Sequence, residues 1–342
     1  MNKTVLVTGG TGYIGSHTVV ALQKKGFKVI VVDNLCNSSI NALDGIKKIT
    51  GEKPLFYKID IARDKNALHK LFIKHGDIEN IIHFAALKSV PESVKKPLLY
   101  YYNNLNGMTN ILENMKKFQI PNLVFSSSCT VYGQPDNLPV TEKSPLRKAN
   151  CSYGNTKRIC EEIIADYLIV NQNINAISLR YFNPIGAHPS VFIGELPTGI
   201  PDNLVPYITQ TAIGKRDQLR IFGNDYNTKD GTCIRDYIDI MDLADAHLAG
   251  LYRMIENKQK YNCEIFNVGI GKGISVLEIV KTFEKANNLK LNYKITDRRP
   301  GDIEKIYADV SYANKELGWK AYRTLSESLH NAWKWEQYLQ KN

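Results

Sequence analysis

An apolar, β-branched run leads straight into closely spaced glycines in Val5-Leu-Val-Thr8-Gly9-Gly10-Thr11-Gly12-Tyr13-Ile14-Gly15. Apolar residues at helical spacing follow, up to Lys25. This order predicts a strand, a tight turn and a helix, because glycine lets the backbone bend sharply and approach a phosphate closely. The N-terminus of such a helix offers free N–H groups and a positive dipole to a pyrophosphate, which is typical of a dinucleotide site.

A carboxylate ends the next apolar run, Lys28-Val-Ile-Val-Val-Asp33, eighteen residues after Gly15 (33 − 15). An acidic side chain at this place accepts hydrogen bonds from an adenosine ribose and repels a 2′-phosphate, which favours NAD over NADP. A glycine-rich turn by itself is weak evidence, since it can merely connect a strand to a helix. Together with Asp33, it predicts an NAD site.

The composition is that of a globular protein with an excess of positive charge. The 342 residues exceed one average domain, which predicts one large domain or two lobes. With 43% hydrophobic and 23% charged residues, the chain can bury a sizeable core. The net charge of +10 suits an anionic ligand, but the lysines are scattered, so we expect no nucleic-acid partner.

The cysteines and histidines show no metal-ligand spacing. Six cysteines are present without a Cys-x-x-Cys pair, and the seven histidines are scattered. We therefore expect reduced thiols, no bound metal and a cytoplasmic protein. The sequence has no apolar run long enough for a signal peptide or a membrane span, so we also expect a soluble protein without a membrane partner.

Strands and helices alternate along much of the chain. This alternation predicts an α/β fold, a Rossmann-type doubly wound parallel sheet covered by helices on both faces. Ligands of such sheets gather at the carboxyl ends of the strands. The predicted strands are 5–8, 28–33, 55–60, 80–84, 122–126, 176–181 and 264–268, and the predicted helices are 14–25, 63–75, 98–118, 153–170, 204–214 and two that begin at Val276 and Ser311.

The texture of the sequence changes after Tyr181, because residues 183–230 are rich in glycine, proline and asparagine. We therefore predict two lobes. Residues 1–182, with 235–268 crossing back, would form the NAD-binding Rossmann lobe. Residues 183–234 and 269–342 would form a smaller, mixed α/β lobe that binds the substrate.

The sequence Tyr153-Gly-Asn-Thr-Lys157 places a phenol and an ammonium on one face at the start of a predicted helix. A free phenol titrates at about 10. A nearby cation, together with the positive nicotinamide ring, would favour the phenolate and lower that pKa, which would make Tyr153 a usable general base. The spacing alone is more often a surface tyrosine beside a solvated lysine.

Three serines, Ser126-Ser127-Ser128, end a predicted strand and offer hydroxyls to a substrate oxygen. Serines at a strand end are usually turn residues. In a chain that also has a dinucleotide turn and the Tyr153–Lys157 pair, they predict a hydride-transfer site for a secondary alcohol.

Longer motifs extend these patterns over nearly the whole chain, at Val7–His17, Asp33–Ser38, His83–Lys88, Phe125–Gly133, Tyr153–Lys157, Arg180–Asn183, Ile221–Tyr226 and Asp230–Ile238. On these motifs the chain resembles the extended short-chain dehydrogenase/reductases, and among them the UDP-glucose (UDP-galactose) 4-epimerase family. The resemblance implies reversible epimerisation at carbon 4 of a UDP-hexose, tightly bound NAD and a homodimer. A tyrosine base would act while hydride moves to NAD and back, through a transient 4-keto sugar that turns between the two steps.

The resemblance also implies the site residues. Catalysis would fall to Ser128, Tyr153 and Lys157. The candidates for NAD binding are Gly9, Gly12, Tyr13, Ile14, Gly15, Asp33, Asn34, Asn37, Ser38, Asp60, Ile61, Phe84, Ala85, Lys88, Asn103, Ser126, Tyr153, Lys157 and Tyr181. The candidates for UDP-sugar binding are Lys88, Ser128, Tyr153, Phe182, Asn183, Asn203, Arg220, Phe222, Arg235, Arg299, Asp302 and Ile306.

Particular residues of the chain argue against other functions. In the resembling 4,6-dehydratases and UDP-glucuronate decarboxylases, an acidic residue precedes the Val-Tyr-Gly run, whereas this chain has Thr130, preceded by Cys129. A catalytically inactive NAD-sensing module is disfavoured because Ser128, Tyr153 and Lys157 are all present.

Position 306 bears on the range of substrates. In family members restricted to UDP-glucose and UDP-galactose, a tyrosine stands where this chain has Ile306, and members that also take the N-acetylated sugars have a smaller residue such as cysteine. Isoleucine is shorter than tyrosine and leaves room for a 2-acetamido group, although its branch point makes it stiff. We expect activity on UDP-N-acetylglucosamine and UDP-N-acetylgalactosamine; the alternative is that Ile306 simply packs against its lobe and the pocket stays closed.

Overall fold

The computed structural model describes residues 3–299 and 302–341. Its strands are β1 Thr4–Thr8, β2 Lys28–Asp33, β3 Leu55–Lys58, β4 Ile78–His83, β5 Asn122–Ser126, β6 Asn175–Tyr181, β7 Asn183–Ile185, β8 Leu219–Phe222, β9 Ile234–Arg235, β10 Tyr237–Asp239, β11 Cys263–Val268, β12 Ile274–Ser275, β13 Tyr293–Thr296 and β14 Lys305–Ile306.

Its helices are α1 Tyr13–Lys24, α2 Ala42–Thr50, α3 Lys65–Lys74, α4 Val90–Lys95, α5 Pro97–Lys117, α6 Ser152–Val170, α7 Leu204–Ala212, α8 Ile240–Ile255, α9 Val276–Asn287, α10 Ser311–Glu316 and α11 Leu325–Lys341. A 3₁₀ turn spans Cys129–Tyr132. Within the described ranges, no helix combines the length and the apolar character that a membrane crossing requires.

Seven strands form the main sheet in the order β11-β6-β5-β4-β1-β2-β3, and every neighbouring pair is parallel. The predicted α/β fold with a doubly wound parallel sheet is confirmed. The strand order reverses at β1 and β4, where the crossovers leave in opposite directions and open a crevice at the carboxyl ends of the strands. All residues of β1 are buried, as expected for a strand covered by helices on both faces.

Two apolar clusters cover the two faces of this sheet. On one face, α1 and α8 pack on the strands through residues such as Val20 and Leu243. On the other face, α3, α5 and α6 contribute residues such as Phe72, Met108 and Ile164. The strands are therefore a rigid support for the loops at their carboxyl ends.

A third apolar cluster joins α7, α9 and α11 to strand β8, through Ile208, Phe283, Leu329 and Ile221. Small sheets accompany it, in which β8 pairs with β13, β9 with β12 and β14, and β7 with β10. Residues 183–230 thus contain β7 and β8 besides the predicted helix. We missed these strands because runs of three or four residues carry little periodicity.

Part of the predicted substrate lobe packs against the main sheet. The ring of Tyr312 on α10 stacks on Phe266 of β11 with 5.1 Å between centroids. Trp319 donates a hydrogen bond to the carbonyl of Asp242 on α8 at 3.0 Å. The division into two lobes stays a prediction, and these contacts argue for placing residues 311–319 beside the first lobe.

Some element ends differ from the predicted ones for local reasons. Strand β3 ends at Lys58 because Asp60 Oδ1 accepts hydrogen bonds from the N–H groups of Ala62 and Arg63, at 3.0 and 3.2 Å, and turns the chain. Helix α7 ends at Ala212, shortly before Gly214, whose φ of +82° is outside the helical range. Helices α2, α4, α8 and α11 were not predicted.

Candidate active site

A cleft of about 1890 Å³ lies at the carboxyl edge of the main sheet and extends between β8, α7 and α11. Every residue named above as a candidate for catalysis, NAD binding or UDP-sugar binding lines this cleft. The structure thus brings all of them into one cavity, although the role of each stays a prediction. In the ranges that the structure describes, no group of three or more His, Cys, Asp or Glu side chains could hold a metal ion.

The glycine turn leaves no room for side chains. Gly9 has a φ of +73°, and a Cβ there would lie 2.8 Å from the amide nitrogen of Ala85. A Cβ on Gly15 would collide with the carbonyl oxygen of Gly9. Gly12 is the N-cap of α1 and has no side chain with which to cap it, so N–H groups of the first turn are available to an anion. The turn therefore fits the pyrophosphate of NAD.

The carboxylate at the end of β2 is held by its neighbours. Asp33 is 8% exposed and accepts hydrogen bonds from Leu35 N at 2.9 Å, Ser38 Oγ at 3.1 Å and Thr11 N at 3.2 Å. The hydroxyls of Thr11 and Ser38 also lie 2.8 Å apart. Thr11 was missed as a site residue, although its place inside the glycine run could have suggested it. The fixed carboxylate fits the hydroxyls of an adenosine ribose.

Other NAD candidates are oriented by polar neighbours. Asn34 donates to Asp60 Oδ2 at 3.1 Å, so two candidates that are distant in sequence adjoin each other. Asn37 accepts a hydrogen bond from Thr198 Oγ1 at 2.9 Å, which ties the ribose end of the cleft to the segment after β7. The amide of Asn103 donates to Asn104 Oδ1 at 3.1 Å.

Tyr153 and Lys157, in the first turns of α6, face the end of β5. Lys157 Nζ donates to the carbonyl of Ser126 at 2.6 Å and lies 5.9 Å from the centroid of the Tyr153 ring. The hydroxyls of Ser126 and Tyr181 are 2.6 Å apart. None of the four side chains is more than 8% exposed. The predicted phenol, ammonium and serine segment therefore meet in a site that is largely shielded from water.

Burial dominates the ionisation of the candidate base in the protein alone. Desolvation raises the pKa of Tyr153 well above its usual value, Tyr181 adds to the rise, and a hydrogen bond with Ser128 opposes it. The expected lowering of the Tyr153 pKa, which includes the positive charge of the nicotinamide ring, stays a prediction. Burial also lowers the pKa of Lys157 to about 8. A phenolate near neutral pH needs a further positive charge, such as that of a nicotinamide ring.

Ser128 has its hydroxyl proton directed by Thr130. Ser128 Oγ accepts hydrogen bonds from Thr130 Oγ1 at 2.9 Å and from Thr130 N at 3.2 Å. Because two donors already occupy this oxygen, its own proton is left to donate to Tyr153 or to a substrate oxygen. Thr130, which stands where the resembling dehydratases have an acidic residue, thus orients the hydroxyl of Ser128.

The charged candidates of the UDP half are paired with neighbours. Arg299 lies 2.8 Å from Asp302 Oδ1, and its guanidinium lies 5.5 Å from the centroid of the Phe222 ring. Arg235 donates to the carbonyl of Ile234 at 2.8 Å, and the side chain of Arg220 is exposed on β8. Arg235 and Arg299 suit a diphosphate, because guanidinium groups can bind it bidentately.

Glu195 is a site residue that sequence reasoning missed. Its Oε1 accepts a hydrogen bond from Asn203 Nδ2 at 2.5 Å and lies 3.6 Å from Lys88 Nζ. Both partners were candidates, but Glu195 belongs to none of the motifs and is far from Lys88 in sequence. Only the tertiary structure connects the three.

Ile306 lies in a small apolar cluster at the wall of the cleft. It is 3% exposed and belongs to the same cluster as Cys129 and Phe182. The parallel pairing of β14 with β9 sets Ile306 beside Arg235 in register. The side chain of Ile306 therefore forms part of the cleft wall next to Arg235, a candidate for binding the diphosphate.

Known proteins are similar to this chain in both sequence and fold. A family model described as GDP-mannose 4,6 dehydratase matches residues 6–332. The UDP-glucose 4-epimerase of Cyamopsis tetragonoloba is 51% identical over 337 residues, which cover 98% of this chain and 95% of that protein. The crystal structure of UDP-glucose 4-epimerase from Stenotrophomonas maltophila with bound NAD and formylated UDP-arabinopyranose superposes with a TM-score of 0.95 at 43% identity, covering 99% of both chains.

The crystal structure of UDP-glucose 4-epimerase from Bifidobacterium longum in complex with NAD+ and UDP superposes with a TM-score of 0.93 at 44% identity, covering 98% of both chains. Such identity over nearly the full length, joined to a common fold, could not arise from the Rossmann architecture alone, which many unrelated enzymes share. The chain belongs to the UDP-glucose 4-epimerase family.

Proposed function

We propose that this protein interconverts UDP-glucose and UDP-galactose by inverting carbon 4 of the sugar, with NAD bound throughout. The observation that carries the proposal is the buried meeting of Tyr153, Lys157 and Ser128 in the cleft that also contains the glycine turn and Asp33. The names of the relatives support it, as do the neighbours crystallised with NAD and with UDP or a UDP-linked sugar.

NAD would lie across the carboxyl ends of β1, β2 and β4. The N–H groups at the start of α1 would bind its pyrophosphate, Asp33 its adenosine ribose, and the residues around Lys157 its nicotinamide half. When bound there, NAD supplies a hydride acceptor for the first half of the reaction and a hydride donor for the second.

Tyr153 would take the proton of the carbon-4 hydroxyl and later return it. Ser128, oriented by Thr130, would donate a hydrogen bond to the carbon-4 oxygen of the sugar or to the phenol oxygen of Tyr153. Lys157, with a pKa of about 8, carries a positive charge at neutral pH and would favour the phenolate. Between the two steps the 4-keto sugar would turn about its bond to the diphosphate, for which the cleft of about 1890 Å³ leaves room.

The UDP part would be bound by the lining residues outside the main sheet. Arg235 and Arg299 would bind the diphosphate, and Asp302 a ribose hydroxyl. Because Asp302 is now paired with Arg299, the guanidinium would share its donors between the carboxylate and a phosphate. The remaining proposed contacts are Phe182, Asn183, Asn203, Arg220 and Phe222.

Pure protein incubated with UDP-galactose, without added NAD, tests the proposal. We expect UDP-glucose to accumulate to equilibrium without net formation of NADH. Turnover that required stoichiometric added NAD and accumulated NADH would identify a dehydrogenase instead.

We further propose that the enzyme acts on UDP-N-acetylglucosamine and UDP-N-acetylgalactosamine. In support, Ile306 is shorter than tyrosine and offers an apolar surface to an acetyl methyl group beside Phe182 and Cys129. The competing possibility is that these three side chains pack tightly and leave no room. The homodimer and the cytoplasmic location stay predictions.

A further inference from the structure

A buried ion pair lies behind the catalytic helix. Glu161 of α6 and Arg180 of β6 are 7% and 3% exposed, and Arg180 contacts the carboxylate through Nε at 3.0 and 3.2 Å and through a terminal nitrogen at 2.6 Å. Neither side chain is among the described residues that line the cleft. Buried ion pairs add little net stability, because desolvation offsets their attraction, so stability alone does not account for this pair.

Glu161 continues the stripe of α6 that carries the reaction residues. Tyr153, Lys157 and Glu161 are spaced four residues apart and therefore share one helical face. Opposite them runs the segment Ser126–Ser128. Lys157 binds the carbonyl of Ser126 at 2.6 Å, and Ser127 Oγ donates to Glu161 Oε1 at 2.5 Å. Two consecutive serines are thus each held by one residue of the stripe, and Ser128 directly follows them.

The carboxylate of Glu161 is itself held from the far side. Arg180 donates to the hydroxyl of Tyr132 at 3.1 Å, and that hydroxyl donates to Asn267 Oδ1 at 2.6 Å. These contacts tie the ion pair to the 3₁₀ turn and to β11. Glu161 is therefore a fixed acceptor, against which the fully buried Ser127 is set.

We propose that Glu161, held by Arg180, is a positioning residue that acts through Ser127 to set the distance between the Ser126–Ser128 segment and α6. At that distance the Ser126 carbonyl accepts its hydrogen bond from Lys157, and the hydroxyl of Ser128 would be placed to donate toward the Tyr153 phenol. The inference rests on the proposed function only in that Tyr153 is the base whose ionisation is being set.

The position of Ser128 should affect the pH dependence of kcat through the pKa of Tyr153. The titratable groups around the phenol are Lys157 on its own helix, Cys151 just before that helix, Cys129 after β5, and Tyr181 on β6, with His83 of β4 facing Lys157. Of the interactions that shift the Tyr153 pKa, the hydrogen bond from Ser128 favours the phenolate. Loosening it raises the Tyr153 pKa, so the acidic limb of the kcat profile moves to higher pH.

The test compares two buried serines in the holoenzyme. Ser127→Ala removes the contact with Glu161 and leaves the ion pair intact. Ser328→Ala is the matched control, since Ser328 is 1% exposed and donates to Asp239 Oδ2 at 2.6 Å, and it does not line the cleft within the described residues. For Ser127→Ala we expect kcat to fall about 10- to 100-fold, as misplacement of a reacting group does, with KM for UDP-galactose little changed.

The acidic limb of Ser127→Ala should also move up by about 1 to 2 pH units, the scale of a lost hydrogen bond to a charged group. Ser328→Ala should lower the melting temperature without moving the limb. Ser127→Cys keeps a weaker donor of similar shape and should shift the acidic limb by an intermediate amount. This variant replaces Ser127→Ala as the test if Ser127→Ala does not fold. An unmoved limb in the folded Ser127 variant, or kcat losses in both serine variants that merely follow their melting temperatures, would overturn the inference.

A second readout does not depend on turnover. The phenolate absorbance of Tyr153 can be titrated in the holoenzyme as the difference between each variant and the same variant carrying Tyr153→Phe. A higher phenol pKa in Ser127→Ala than in Ser328→Ala supports the positioning role even if wild-type protein does not convert UDP-galactose, a result that would refute the proposed function alone.

Discussion

Replacing Lys157 with methionine should move the acidic limb of the kcat profile up by about two pH units. Lys157 Nζ lies 5.9 Å from the centroid of the Tyr153 ring. If the ammonium and the phenolate oxygen are taken to be about 6 Å apart, two unit charges attract each other by about 2.8 kcal/mol at an effective dielectric constant of about 20. Since one pKa unit corresponds to about 1.4 kcal/mol, loss of the ammonium raises the phenol pKa by about 2 units, and kcat below the limb falls about 100-fold.

The pH range over which Lys157 supports the phenolate follows from the pKa of the lysine. Burial lowers the pKa of Lys157 to about 8, so the cation supports the phenolate below that pH and the support fades above it. The deficit of Lys157→Met relative to wild type should therefore narrow as the pH rises past 8. The assay is kcat for UDP-galactose from neutral to alkaline pH, with holoenzyme at saturating substrate.

Lys65→Met is the matched control, because Lys65 forms an exposed ion pair with Glu113 at 2.6 Å and is not among the described residues that line the cleft. This control should keep the wild-type limb, because an exposed pair contributes little and has no contact with the base. If Lys157→Met kept the wild-type limb as well, the electrostatic role of the lysine would be refuted.

Three further predictions concern the base, the cofactor and the substrate range. Tyr153→Phe should lower kcat by about 10²- to 10⁴-fold, the usual scale for a positioned general base, while calorimetric titration shows UDP binding retained; near-normal turnover would remove Tyr153 from its role. Wild-type protein should retain NAD through gel filtration and release it on denaturation, whereas Asp33→Ala, which loses the ribose acceptor, should lose NAD on the column; equal retention by both would contradict the ribose assignment. Ile306→Tyr should lower kcat/KM for UDP-N-acetylgalactosamine relative to UDP-galactose, and an unchanged ratio, or no turnover of the N-acetylated pair by wild type, would show that Ile306 is not the gate.

Much of the main sheet was predictable because its signals are local. The strands that alternate with α1, α3, α5 and α6 are long enough to show periodicity, and a buried parallel strand is apolar along its whole length. Among the elements that escaped prediction are the short strands β7 and β8 and the short helices α2 and α4. Their few residues carry little pattern, and their positions depend on packing partners that lie far along the chain.

The site was predictable where its residues form motifs and not where they pair across the fold. The glycine turn, Asp33 and the Tyr153–Lys157 pair are recognisable from spacing. Glu195 was missed because Lys88, its ionic partner, lies on a different loop and is more than a hundred residues away (195 − 88 = 107). Its interaction has no periodicity, so no pattern in the sequence could have indicated it.

By itself the sequence determined the order of strands and helices, the anion-binding turn and the one-face spacing of Tyr153 and Lys157, since periodicity and glycine conformation act over a few residues. Only the tertiary structure decided how these groups ionise and what holds them. Burial opposes the expected lowering of the Tyr153 pKa, and Glu161, which is paired with Arg180, accepts a hydrogen bond from Ser127. Desolvation depends on everything packed around a group, which is a property of the folded chain and not of any short segment within it.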